Sequence, residues 1–196
     1  MYVDYISGTD YTRVNVLKDG SGTGWSYSAA SKTLTLSSYN AGPIACDSDL
    51  NIVLNGSNTV TLPEPSQSGI NVNGKLTITK SGSSYTDTLT VKQLTTSTPA
   101  NLIVTGNATG DSCVINGGTV NLVGASGANG TNGIVHSASV NNDARLNISA
   151  GYIGVGGQLT AASSNDITIT VKGAMGGSVA ARSLSASGSG MISLNA

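Results

Sequence analysis

Asp47-Ser48-Asp49 is the one place in this 196-residue chain where two carboxylates stand close together. Alternate carboxylates backed by carbonyl oxygens can hold Ca²⁺, which takes about six to eight oxygen ligands. The same residues also suit a solvated corner in which Asp accepts backbone hydrogen bonds. Other acids are scattered: Asp87, Asp111, Asp143 and Asp166 sit singly in turn-like stretches, and Glu64 lies between two prolines. Glycoside hydrolysis needs two carboxyl groups facing each other across a bond. A lyase needs clustered calcium and a basic residue to take the proton, and Arg145 and Arg182 have no acidic cluster beside them in the sequence. His136 is the single histidine, so no second one is available for a metal pair. A protein that is not an enzyme is expected. Trp25, Tyr27 and Tyr39 could form a flat carbohydrate-binding platform, since their faces are apolar and their edges polar; equally, they could close one end of the fold. Cys46 and Cys113 stand in apolar-patterned segments and read as buried small hydrophobes, although two cysteines suffice for one disulfide.

The elements that must hold these residues are legible from a recurring phrase. Leu50-x-Ile52-x-Leu54 is followed by the corner Asn55-Gly56 and then Val60-x-Leu62. The phrase returns as Cys113-x-Ile115, Asn116-Gly117-Gly118, Val120-x-Leu122, and as Leu146-x-Ile148, Ala150-Gly151, Ile153-x-Val155. Period-two alternation marks strands, because successive side chains point to opposite faces. Helices are not expected, since apolar residues nowhere recur at three and four over about 11 residues. Comparable positions lie 26 apart at Ile52 and Ile78 and 21 apart at Ile148 and Ile169. The expected fold is therefore all-β: a single-stranded parallel β-helix, or β-solenoid, with roughly 20–26 residues per rung. One domain spans 1–196, with a leading and capping segment at 1–43 and rungs at 44–196.

Composition supports a thin core. Hydrophobic residues make up 38 % and aromatics 4 %, with no Phe and 26 glycines. Nine Lys plus Arg stand against ten Asp plus Glu, a net charge of −1. Nothing here attracts a phosphate backbone, so a nucleic-acid partner is not expected. No apolar run approaches the roughly 20 residues of a membrane span. Met1-Tyr2-Val3-Asp4 has neither the basic start nor the apolar stretch of a signal peptide. The wealth of Ser, Thr, Asn and Gly is that of extracellular bacterial proteins, which makes an extracellular or cell-surface location the expectation.

Gly24-Trp25-Ser26-Tyr27, then Lys32-Thr33-Leu34-Thr35-Leu36 and Tyr39, resembles the opening of a family of bacterial carbohydrate-binding-like surface proteins. The continuation Asp49-Leu50-Asn51-Ile52-Val53-Leu54-Asn55-Gly56-Ser57-Asn58-Thr59-Val60 is similar too, as are Gly69-Ile70, Leu76-Thr77-Ile78 and Ile115-Asn116-Gly117-Gly118-Thr119-Val120. The likeness covers about residues 24–157. It implies a right-handed parallel β-helix of the pectate-lyase type, secreted or surface-displayed, binding acidic plant polysaccharide with calcium. The chain departs from that pattern in uneven rungs near 80–112 and 157–190, and in its few carboxylates.

Thr-x-Thr pairs occur at Thr33/Thr35, Thr59/Thr61, Thr77/Thr79, Thr88/Thr90 and Thr168/Thr170. A flat ladder of them could order water, though Thr is also simply a good strand-surface residue. Asn-x-Ser/Thr sequons at Asn55, Asn107, Asn129 and Asn147 are what chance gives in so Asn-rich a chain. Met191 to Leu194 reads as a bare terminal strand, which suggests an alternative role: a structural subunit stacking end to end into a fibre or other homo-assembly.

Overall fold

The computed structural model describes residues 2–7, 10–15, 19–63, 68–82, 86–94, 99–106, 112–125, 130–171 and 179–195. Glu64, Asp111 and the sequon positions Asn107 and Asn129 lie outside these residues. Alternation produces the strands it predicts. Along Leu50–Asn55 the side chains of Leu50, Ile52 and Leu54 are buried, while Asn51 and Asn55 face solvent.

The chain opens with the antiparallel hairpin β1 (Tyr2–Ser7) and β2 (Asp10–Asn15). An antiparallel meander follows: β3 (Gly20–Gly22), β4 (Trp25–Ser28) and β5 (Thr33–Ser37). Next come β6 (Asn40–Ala41), β7 (Ile44–Cys46), β8 (Leu50–Asn55) and β9 (Ser57–Leu62). They lead to β10 (Ser68–Val72), β11 (Leu76–Lys80), β12 (Thr88–Gln93), β13 (Asn101–Thr105), β14 (Cys113–Ile115) and β15 (Thr119–Val123). The remainder is β16 (Asn132–Ile134), β17 (Ala138–Asn142), β18 (Arg145–Ala150), β19 (Ile153–Ser163), β20 (Ile167–Val171), β21 (Val179–Ala186) and β22 (Ile192–Asn195).

From β5 to β16 each strand pairs in parallel with the strand three places later, except where the long β19 intervenes. That strand pairs through Ile153 and Val155 with β16, and through Leu159 to Ser163 with β17, so it joins two strand stacks into one 15-stranded sheet. The third stack, β6-β9-β12-β15-β18-β20-β22, is a separate seven-stranded sheet. The architecture is thus all-β, with parallel strands in stacked sheets.

Register puts like residues in columns inside. Leu34, Ile52, Ile78, Ile115, Val140 and Ala161 stand in one column, all buried. Asn58, Leu89, Val120, Leu146, Ile167 and Ile192 form another, in which Asn58 is the one polar member. The intervals are less even than 20–26: Ile115 comes 37 positions after Ile78, whereas Ala161 comes 21 after Val140. The extra positions fall in sequence between β11, β12, β13 and β14, and added length between strands costs little because closure entropy grows only logarithmically. Parallel stacking also starts earlier than residue 44, since Thr33–Ser37 already pairs with Asn51–Asn55.

The two ends differ. Trp25 lies opposite Leu36 and Tyr27 opposite Leu34, and both aromatics pack against the core. At the other end Leu184 and Leu194 continue columns through Leu159 and Ile169 but are 45 % and 38 % exposed, with Met191 at 64 %.

Candidate functional site

The three aromatics do not share a surface. Tyr39 is 1 % exposed, donates its hydroxyl to Gly42 O at 2.9 Å and has no face turned to solvent, so a sugar platform cannot include it. Trp25 is half-buried, its indole over Gly22, where a Cβ would sit 2.5 Å from Nε1. Tyr27 is half-buried as well; burial, with Cys46 and Asp19 nearby, pushes its phenol above the usual value. Covering the first rows of Leu34 and Leu36 is what these side chains do here. Trp25→Ala is therefore expected to cost about 2 kcal/mol and lower Tm by roughly 4–8 °C in thermal denaturation. An unchanged Tm would return Trp25 to a surface role.

Asp47 and Asp49 act on the corner of the following repeat. Asp49 Oδ1 accepts the Lys75 backbone N–H at 2.9 Å, and Asp47 Oδ1 accepts Asn73 Nδ2 at 3.4 Å. Both residues are exposed, and among the described residues no group of three His, Cys, Asp or Glu is placed to hold a metal ion. Two carboxylates already engaged in this way fall short of a calcium shell. Both hold the corner at Asn73 and Lys75.

The remaining candidates are dispersed too. Asp87 is buried with Oδ1 accepting Gly56 N–H at 2.8 Å, Asp166 Oδ1 accepts Met191 N–H, and Asp143 pairs with Lys80. His136 Nδ1 donates to Thr105 O at 2.8 Å. Cys46 and Cys113 are free thiols on β7 and β14, and burial pushes Cys113 up to about 12, so it packs as a neutral hydrophobe.

What the structure assembles instead is the outer face of the seven-stranded sheet. Thr59, Thr90, Asn121, Asn147, Thr168 and Ser193 stand in one register column, and Thr61, Lys92, Val123, Ser149, Thr170 and Asn195 in the next but one position. Asn147 Nδ2 donates to Asn121 Oδ1 at 2.9 Å, and Asn121 Nδ2 reaches Thr90 Oγ1 at 3.5 Å. Over β12, β15, β18 and β20 this face forms a groove of about 520 Å³, floored by Thr90, Asn121, Asn147 and Thr168 and flanked by Val123, Ser149 and Thr170. Lys92 and Arg145 are the only charged residues among the outward positions of β9, β12, β15, β18 and β20, and no carboxylate is among them. Hydroxyls and amides each donate and accept, so such a floor matches a polyhydroxyl ligand, and Val123 (40 % exposed) offers apolar contact to a ring face.

The signal for this groove was present in the sequence only in part. Of the Thr-x-Thr pairs only 168/170 falls on it whole, with Thr90 from the pair 88/90, and Asn121, Asn147 and Ser149 complete the columns with other residue types. Aligning repeats on the buried neighbours Val60, Val91, Leu122, Ile148 and Ile169 brings the polar columns into line. Comparison with protein-family models, with curated proteins and with solved structures finds no match to this chain.

Proposed function

We propose that the chain is a single-domain, right-handed parallel β-helix, secreted or displayed on a cell surface, that binds polysaccharide without cleaving it. One observation carries this reading: an uncharged groove that sets Thr, Asn and Ser side chains beside apolar surface from Leu122, Val123 and Ile148, aligned across four strands. Parallel strands keep their spacing at about 4.8 Å, so the groove offers hydrogen-bonding groups at a constant pitch, as an extended polymer of repeating units requires. The described carboxylates at Asp87, Asp143 and Asp166 are engaged in corners, which favours binding over hydrolysis.

Native affinity gels with neutral soluble polysaccharides and with polygalacturonate test the reading. Wild-type protein is expected to be retarded by at least one of them, in EDTA as in calcium, because no carboxylate contributes to the groove. Asn147→Ala is expected to weaken that retardation about tenfold, since it removes a rung of the amide ladder. Mobility unchanged by every polysaccharide would end the proposal. Assembly is a second reading, favoured by exposed Leu184, Met191 and Leu194 beside the edges of β21 and β22. Large particles in light scattering together with no retardation would select it.

A further inference from the structure

We infer that the cleft at the corner beside the groove is a subsite for two neighbouring hydroxyl groups of one sugar residue, with Asp143 accepting and Arg145 donating. The inference rests on the polysaccharide reading. Thr119 and Arg145 are register partners two residues before Asn121 and Asn147, on the same face of the same strands, so the cleft adjoins the groove floor. It measures about 100 Å³ and is lined by Gly118, Thr119, Asp143 and Arg145, enough for hydroxyl groups and their carbons but not for a whole ring.

Three repeats are needed to build it. Lys80 ends β11, Gly117-Gly118 is the corner of the next repeat, and Asp143 is the corner of the one after. The Lys80 ammonium reaches across the middle repeat to ion-pair with Asp143 Oδ2. Gly117 makes that passage: a Cβ there would lie 3.1 Å from Lys80 Cγ and 3.4 Å from Asp143 Oδ1. Gly118 is held at φ +77°, with a Cβ position only 2.9 Å from Asp87 O, so a side chain is excluded there by both conformation and space. Gly118 thus keeps a notch open with a carboxylate on its wall, while Gly117 lets Lys80 reach that carboxylate.

The electrostatics suit hydroxyls. Lys80 engages Oδ2 and fixes the carboxylate plane, while Oδ1 lies on the Gly117 side. Lys80 and Asp143 side chains are only 15 % and 28 % exposed, so a hydroxyl donating to Asp143 makes a charge-assisted bond in a partly dried site. Arg145 is exposed, and among the described residues its single bond, Nη2 to Asn165 Oδ1 at 3.5 Å, leaves guanidinium donors for a ligand oxygen. A planar donor beside a planar acceptor matches neighbouring hydroxyls, each of which donates once and accepts once. A residue lacking either hydroxyl leaves a charged group unmatched and is disfavoured.

The test uses the full chain and whichever polysaccharide retards the wild type, intact or after periodate cleavage of its vicinal diols and borohydride reduction. Arg145→Gln and Asp143→Asn are each expected to weaken binding to the intact polymer about tenfold. Their preference for intact over cleaved polymer should shrink by the same factor. Arg145 is exposed, so Arg145→Gln keeps the fold even if Asp143→Asn loosens the corner. Gly117→Ala should also weaken binding, by pressing on Lys80 Cγ and displacing the ion pair that holds Asp143. Wild-type affinity for the intact polymer in Arg145→Gln, with Asn147→Ala still weakened, would overturn the subsite and spare the groove. No retardation of the wild type by any polymer would overturn both.

Discussion

Replacing Asn58 with alanine is expected to cost about 3 kcal/mol and to lower Tm by roughly 6–12 °C. Asn58 is 1 % exposed at the head of a column that otherwise holds Leu89, Val120, Leu146, Ile167 and Ile192. Its amide bonds backbone groups of Tyr39, Asn55, Gly56 and Thr88. Oδ1 accepts Tyr39 N–H at 2.9 Å, and Nδ2 donates to Gly56 O at 3.0 Å and Thr88 O at 3.1 Å, with Asn55 O at 3.4 Å. Removing the amide takes an acceptor from the buried Tyr39 N–H. It also takes one of two donors from Gly56 O and Asn55 O, which accept Thr88 N–H at 2.9 Å and Ser38 N–H at 3.3 Å as well. Losing partners at a buried position costs more than the modest net worth of a made bond. Asn58→Leu fits the column better in shape but loses the same bonds, so it should not rescue stability. Urea denaturation measures both variants; a loss below about 1 kcal/mol would mean that water takes the place of the amide.

Ile78→Ala should be costlier still, at about 4 kcal/mol, with Ile78→Val nearer 1 kcal/mol. Ile78 is fully buried between Ile52 and Ile115, which belong to the preceding and following repeats. Strands on both sides are fixed by ladder hydrogen bonds, so they cannot collapse into the space left by the missing carbons. That rigidity places the cavity near the upper end of the usual range. Leu194→Ala is the internal control: the side chain is 38 % exposed in the last strand, and under about 1 kcal/mol is expected. Equal losses at the two sites would refute the column picture.

Strands, parallel pairing and interior columns were legible because alternation with period two records which side chains face inward. Ile52 under Ile78 and Ile148 under Ile169 could be aligned by spacing alone. Corner length was not legible at the same level, since the 37-residue step from Ile78 to Ile115 places no constraint on the ladder. The role of Asn58 was hidden, as a buried amide inside an apolar column reads in sequence as one more surface Asn. Tyr39 misleads in the opposite sense: its residue type suits a sugar platform, yet its hydroxyl finds Gly42 O inside the fold. The groove depends on register between residues 21 to 31 positions apart, such as Thr90 with Asn121 and Asn147 with Thr168. The corner cleft depends on three repeats at once, and no local pattern can report Lys80 reaching Asp143 over Gly117.

The uneven steps have a consequence for what the outer face can measure. Between Ile78 and Ile115 the chain spends 37 positions, and between Val140 and Ala161 only 21, yet each step advances the ladder by one hydrogen-bonded row. The rows along the polar face are therefore a ruler whose graduations are set by backbone chemistry and not by loop content. Corners can lengthen, shorten or change composition while the graduations stay where they are. A ligand matched to that ruler remains matched through all such drift, and what varies is only the furniture along its margins.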